Sequence, residues 1–297
     1  MSRLFLLLIL LNISSTLYAN CSVPRYSPVV GADDLIDESE NDAIGTTGSA
    51  YVFSSGDFDK PVLVVEGFDP TNAFGCTEMY WRLNENFPFS SSLSADGRDL
   101  VIVDFDSATV SMENNAIFLQ KLITQINDDL DGEHSLSVIG LSMGGVVSRF
   151  ALTRMESQGI SHNTFLFASY DSPQKFANIP TEIQVWLGIG ASLSIDEFTR
   201  ALYRDFLWSI VTKELLATYR ILGIDADLTY GIDITDHNNN LRSKIADLDG
   251  YPIKLRKVAF ANGNAYGLEG KYDFEAGDNI LHASDGQNGF TMQAIAP

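Results

Sequence analysis

One short run in this chain has the residue types for nucleophilic catalysis: Gly140-Leu141-Ser142-Met143-Gly144-Gly145. A G-x-S-x-G pattern gains chemical meaning from what surrounds it. Here Ser135 to Ile139 reads as a strand leading in, and Val146-Val147-Ser148-Arg149-Phe150 as a helix leading out. So tight a strand-to-helix turn strains the serine backbone, and side chains at Gly140 or Gly144 would collide with neighbouring backbone. The turn lifts the serine hydroxyl clear of the sheet. It also aims a helix N-terminus, with unpaired N–H groups and a positive dipole, at the negative charge that develops on an attacked carbonyl oxygen. Ser142 is therefore the candidate nucleophile. A second donor is expected from the loop Glu66-Gly67-Phe68-Asp69-Pro70, where Gly67 lets the backbone approach closely. The expected oxyanion donors are the backbone N–H groups of Phe68 and Met143.

The elements that must position these groups follow from the apolar pattern. Val62-Leu63-Val64-Val65, Leu100-Val101-Ile102-Val103, Leu136 to Leu141 and Phe165-Leu166-Phe167 are short apolar runs, as expected of strands buried on both faces. Between them, residues 77–87, Asn115 to Ile126 and Gly144 to Glu156 read as helices, the last closed by Gly159. Strand and helix alternating in this way predict a mostly parallel sheet with helices on both faces. The alternation stops at Pro173. Residues 174–250 read as a mostly helical insertion, with a capping box at Ser194-Ile195-Asp196-Glu197 opening one of its helices. Val258-Ala259-Phe260 resumes the strand pattern, and Asn279 to Ala283 offers a last strand.

A serine nucleophile needs a base and an acid. The chain has four histidines. In an open parallel sheet the site lies at the carboxyl ends of the strands, and His134 and His162 precede strands, at the wrong end. His237 falls in the insertion. His282 follows the strand at Val258 and fits the order serine, acid, histidine, so it is the expected base. Two places suit the acid. Asp171 stands at the end of the fourth strand, while Asp273 and Asp278 lie between the late strand and His282. Both remain open, and the plainer role for Asp171 is a turn aspartate beside proline. The acid would hold the imidazole tautomer and stabilise the imidazolium.

Composition bounds the partners. Thirty-nine acidic against nineteen basic side chains leave a formal net charge of −20. Such a surface repels phosphate backbones and anionic headgroups, which excludes a nucleic-acid binder. Arg3, then eight apolar residues from Leu4 to Leu11, then small residues up to Ala19 read as a signal peptide over 1–19, so the domain over 20–297 is expected to be secreted or periplasmic. Eight apolar residues fall far short of the roughly twenty that span a bilayer, and no integral membrane segment is expected after cleavage. The two cysteines, Cys21 and Cys76, form an even pair in an exported chain, and a disulfide between them is the expectation. No metal site and no cofactor are expected, because a cysteine pair without nearby histidines cannot complete a zinc site.

The run from Pro61 to Pro70, the elbow at Ser142, and Tyr170-Asp171-Ser172-Pro173 resemble the secreted bacterial lipase and esterase-like branch of the α/β-hydrolase superfamily. The resemblance covers roughly residues 60–180 and Arg256 to Gly263. It implies an α/β-hydrolase fold with a helical cap insertion about 174–250, and a serine esterase with a Ser-acid-His triad acting on a small-molecule or lipid ester. Two positions depart from the family pattern: Gln174 where many relatives have histidine, and Glu66 where lipases often have the histidine of an H-G pair. His282 lies fifteen residues before Pro297, little room for a final strand and closing helix. A second reading therefore stands beside the first: a shortened, catalytically impaired hydrolase fold that binds an apolar ligand or a cell-surface partner. Trp186-Leu187-Gly188-Ile189 and Phe206-Leu207-Trp208 either give the cap an apolar underside or pack its own small core.

Overall fold

The computed structural model describes residues 21–31, 48–54, 56–107, 110–130, 135–177, 179–193, 207–217, 219, 221–224, 230–233, 244, 250–261, 279–284 and 289–293. It divides into two compact units, Met1–Phe260 and Ala261–Pro297.

In the first unit, six strands form one sheet: β1 (Gly48–Phe53), β2 (Pro61–Val65), β3 (Asp99–Phe105), β4 (Leu136–Leu141), β5 (Thr164–Tyr170) and β8 (Arg256–Phe260). Their order is β1-β3-β2-β4-β5-β8. All neighbours run parallel except β1, which pairs antiparallel with β3. Every residue of β2 is buried, as a strand covered on both faces requires. β1 was not legible in the sequence. It is an edge strand whose pattern is only half buried, and no continuous apolar run marks it.

Helices α3 (Met112–Asp129) and α4 (Met143–Ser157) cover one face. Leu63, Val65, Val101, Val103, Val138 and Phe167 from the strands meet Phe118, Leu122, Val147 and Phe150 from these helices in the main core. Ser111 caps α3 by accepting the Glu113 N–H, leaving the apolar stripe of that helix turned inward. Gly159, at φ +71, stops the α4 segment: Gly159 N–H donates to Glu156 O and Ile160 N–H to Met155 O. The other face carries α1 (Cys76–Asn84) and α2 (Phe89–Ala95), packed on Val64, Leu100 and Ile102. Cys21 and Cys76 are joined by a disulfide, with Cα atoms 5.8 Å apart, which ties the start of the described chain to α1.

Between β5 and β8 lie α5 (Thr181–Leu193), α6 (Ile210–Leu215) and a two-stranded antiparallel hairpin of β6 (Ile221–Ile224) and β7 (Tyr230–Asp233). The hairpin is an addition to the helices expected of this segment. Its strands are four residues each, too short to leave a periodic signal. The capping-box helix at Ser194 lies outside the described residues. Arg149 on α4 holds both ends of this segment, donating to Gln174 O at 2.8 Å and to Gly250 O, with Tyr251 stacked 3.9 Å from its guanidinium. Gln174 braces the end of β5, where its side-chain amide donates to Ser169 Oγ at 2.9 Å.

In the second unit, β9 (Asn279–Ser284) pairs antiparallel with β10 (Gly289–Gln293) as a separate sheet.

Candidate active site

Ser142 follows the last residue of β4 and precedes the first of α4. Its backbone sits at φ 50 and ψ −121, a conformation that costs a non-glycine residue of order 1–3 kcal/mol. Two hydrogen bonds hold it there. Ser142 N–H donates to Tyr170 O at 2.9 Å, and Gly145 N–H donates to Ser142 O at 3.1 Å. The flanking glycines answer to sterics. A Cβ on Gly140 would lie 2.6 Å from Gly144 O, and one on Gly144 would run into the carbonyl oxygens of Val65 and Glu66. The bend therefore closes only with glycine at both positions. Ser142 itself is exposed, while Met143 beside it is fully buried and begins α4.

The loop after β2 comes close enough to serve. The Cβ position of Gly67 lies 3.1 Å from Ser142 Cβ and 3.8 Å from Ser142 Oγ. Gly67 thus stands beside the serine, and Phe68 lines the same hollow of about 240 Å³ as Ser142, Glu66, Asp69, Phe74, Met79 and Leu141. Carboxylates brace the surrounding loops through backbone donors. Asp69 accepts from Thr71 N–H at 3.3 Å and Phe74 N–H at 2.5 Å. Asp104 accepts from Cys76 N–H at 3.0 Å, and burial pushes its carboxyl above the ordinary range. Glu66 accepts from Phe105 N–H at 2.5 Å, and burial pushes its carboxyl up to about 9.

A second, apolar hollow of about 550 Å³ adjoins the first, sharing Phe74, Met79 and Leu141 with it. It runs between α1–α2 and the sheet face formed by Val64, Ile139, Ala168, Tyr170 and Phe260. The sequence left open whether the insertion's apolar residues line a substrate surface or pack together. There, Leu207, Leu216 and Tyr219 pack with Leu187 and Trp208 as a small cluster of their own. The sequence signal for the hollow under α1 and α2 was faint, because α2 is mostly serine and its contribution, Phe89, stands alone.

The other predicted residues fall as follows. Asp171 directly follows β5 at φ 47, is exposed, and its N–H donates to Phe260 O at 2.7 Å. It thus stands one residue beyond the carbonyl that holds Ser142. His162 sits at the opposite end of the sheet, buried, with Nδ1 accepting Thr164 N–H at 3.0 Å and Nε2 3.1 Å from Glu156 Oε1. His282 lies on β9, opposite Thr291. His134, His237, Asp273 and Asp278 lie outside the described residues. Among the described residues no cluster of histidine, cysteine, aspartate or glutamate is fit to hold a metal ion.

A mostly parallel sheet with an antiparallel edge strand, helices on both faces and a serine on a glycine-flanked strand-to-helix bend make this an α/β-hydrolase fold. No protein-family model matches the chain, and no curated protein matches it. Among solved structures it is similar to a Bacillus licheniformis lipase. The mature form is 12% identical with a TM-score of 0.41, covering 74% of each chain. In the propeptide form the identity is 13% and the TM-score 0.41, over 71% of this chain and only 38% of that one. It is also similar to a Pyrobaculum calidifontis esterase, at 12% identity and TM-score 0.35 over 80% of this chain and 76% of that one. A bottromycin epimerase is a further match, at 13% identity and TM-score 0.35 over 62% of each chain.

Proposed function

We propose that this protein is an exported serine hydrolase that cleaves carboxyl esters of apolar acyl substrates. One observation carries the reading: an exposed serine on a strained bend, with the Gly67-Phe68 loop and the first turn of α4 beside it, lines a small hollow that shares Phe74, Met79 and Leu141 with a larger apolar one. In this mechanism Ser142 Oγ attacks the ester carbonyl while a histidine takes its proton. The Phe68 and Met143 N–H groups hold the tetrahedral oxyanion, and the proton returns to the leaving alkoxide as the acyl-enzyme forms. Water then repeats the sequence and releases the acid. His282 is the proposed base and Asp171 the proposed acid, with Asp273 or Asp278 as the alternative. The acyl chain lies between α1–α2 and the sheet, and Phe74, Phe87, Tyr170 and Phe260 keep about half their surface exposed around it. Export is supported by the leader pattern over 1–19 and by the Cys21–Cys76 bridge, since disulfides persist in oxidising compartments. No described helix is long and apolar enough to cross a membrane.

The test is covalent labelling of the full chain with a fluorophosphonate, alongside hydrolysis of p-nitrophenyl esters of graded acyl length. Labelling that maps to Ser142 and vanishes in Ser142→Ala is the expected result. An unlabelled protein that hydrolyses no ester overturns the proposal.

A further inference from the structure

Glu66 occupies a peculiar place. In a regular parallel ladder the donation of Glu66 N–H to Val103 O would be followed by donation of Phe105 N–H to the Glu66 carbonyl. The first bond is present, at 3.2 Å. The second is not made that way. Phe105 N–H donates instead to the side-chain Oε1 of Glu66, and the Glu66 carbonyl oxygen lies against Gly144 of the elbow. The peptide joining Glu66 to Gly67 has thus left the sheet, and the carboxyl fills the vacated rung. The next peptide joins Gly67, which stands beside Ser142, to Phe68.

We infer that Glu66 is a positioning residue for the oxyanion loop: its carboxyl substitutes for the missing β2–β3 rung and so fixes the turned Gly67-Phe68 backbone over Ser142. The inference rests on the ester-hydrolase reading for its catalytic consequence, though the placement itself does not. The protonation state suits this role. Glu66 is 2% exposed, and its Oε2, also buried, has no hydrogen-bond partner among the described residues. The charged groups that face it are Asp104 and Asp106 at the end of β3 and Asp69 in its own loop, all acidic. Burial first, and then these neighbours, push its carboxyl up to about 9 against the Phe105 hydrogen bond, so it is neutral at pH 7. A neutral carboxyl accepts the Phe105 N–H without setting a negative charge beside the site where an oxyanion develops. Ionisation above about pH 9 would place that charge there.

The sign of the linkage is fixed by the raised value. The folded chain keeps a proton that the unfolded chain releases above about pH 4.5, so this group lowers stability progressively as pH rises from about 4.5 to about 9. The experiment compares the full-length protein with Glu66→Gln and Glu66→Ala. It measures kcat and KM on a p-nitrophenyl ester from pH 6 to 10, and the unfolding midpoint from pH 5 to 9. Glu66→Gln, whose amide oxygen also accepts the Phe105 N–H, is expected to keep kcat within about threefold at pH 7 and to extend the alkaline limb beyond pH 9. Its unfolding midpoint is expected to fall less with pH than that of the unaltered protein. Glu66→Ala is expected to lower kcat about 100-fold with KM nearly unchanged, the size of losing one oxyanion donor. Identical alkaline limbs for the unaltered protein and Glu66→Gln, or an unchanged kcat in Glu66→Ala, overturn the inference. Should the unaltered protein hydrolyse no ester, the ester-hydrolase reading fails by itself. The midpoint series then decides, and parallel curves for Glu66→Gln and the unaltered protein overturn the placement.

Discussion

The two ends of the parallel sheet handle buried polar groups in opposite ways. At the amino end, the buried His162 and the half-buried Glu156 are fully engaged: the imidazole meets Thr164 N–H and Glu156, and the Glu156 carboxylate also accepts Ile253 N–H and Lys254 N–H, each at 2.7 Å. At the carboxyl end, Ser142 is held in a strained conformation with its side chain open to solvent, and Glu66 keeps one carboxyl oxygen without a partner among the described residues. Satisfied groups stabilise. Strained and half-satisfied ones cost free energy and persist only where surrounding structure over-determines them, as in a catalytic site. The contrast separates the part of the molecule that holds the fold from the part proposed to perform chemistry.

Mutations at the two ends should therefore differ in kind. The largest effect is expected at Ser142→Ala, which should lower kcat by about 10³-fold or more with a nearly unchanged unfolding midpoint; substantial residual turnover would break the comparison. Gly144→Ala comes next. A methyl group there meets the Glu66 carbonyl oxygen, so a loss of roughly 3 kcal/mol or more is expected in chemical denaturation, accompanied by loss of fluorophosphonate labelling. At the amino end, Glu156→Ala removes the partner of the buried His162 ring and of two backbone donors on exposed residues, and should cost about 1–2 kcal/mol. Below its unfolding midpoint, however, kcat/KM should stay within about twofold of the unaltered enzyme. A large catalytic loss with the fold intact would mean that the two ends are coupled. Smallest, Met79→Trp narrows the hollow where its two parts meet and should shift kcat/KM about tenfold toward short acyl esters, read as a ratio of acetyl to octanoyl substrates.

Much of the first unit could be read before any coordinates. The buried strands announce themselves because a strand covered on both faces needs an unbroken apolar run, and β2 and β3 have one. The elbow was legible because only glycine fits at positions 140 and 144. β1, the β6–β7 hairpin and α2 were not, since half-exposed or very short elements carry almost no periodic signal. Of the two roles open to the insertion's apolar residues, substrate surface or a core of their own, Leu207, Trp208 and Tyr219 take the second. The hollow is instead assembled from single residues of α1, α2, β2, β4, β5 and β8 that no local pattern connects.

By itself, the sequence determined a mostly parallel sheet, a helix on either side of the elbow strand, and a serine whose neighbours must be glycine. These are local demands, set by backbone sterics and by the period of apolar residues. Only the tertiary structure decided what Glu66 does. Its residue type and position marked it only as a departure from the resemblance. Burial beneath the oxyanion loop, with a backbone N–H from the neighbouring strand as partner, makes it a neutral rung of the sheet. Such a role depends on the dielectric and donors that distant residues supply, and no spacing along the chain encodes them.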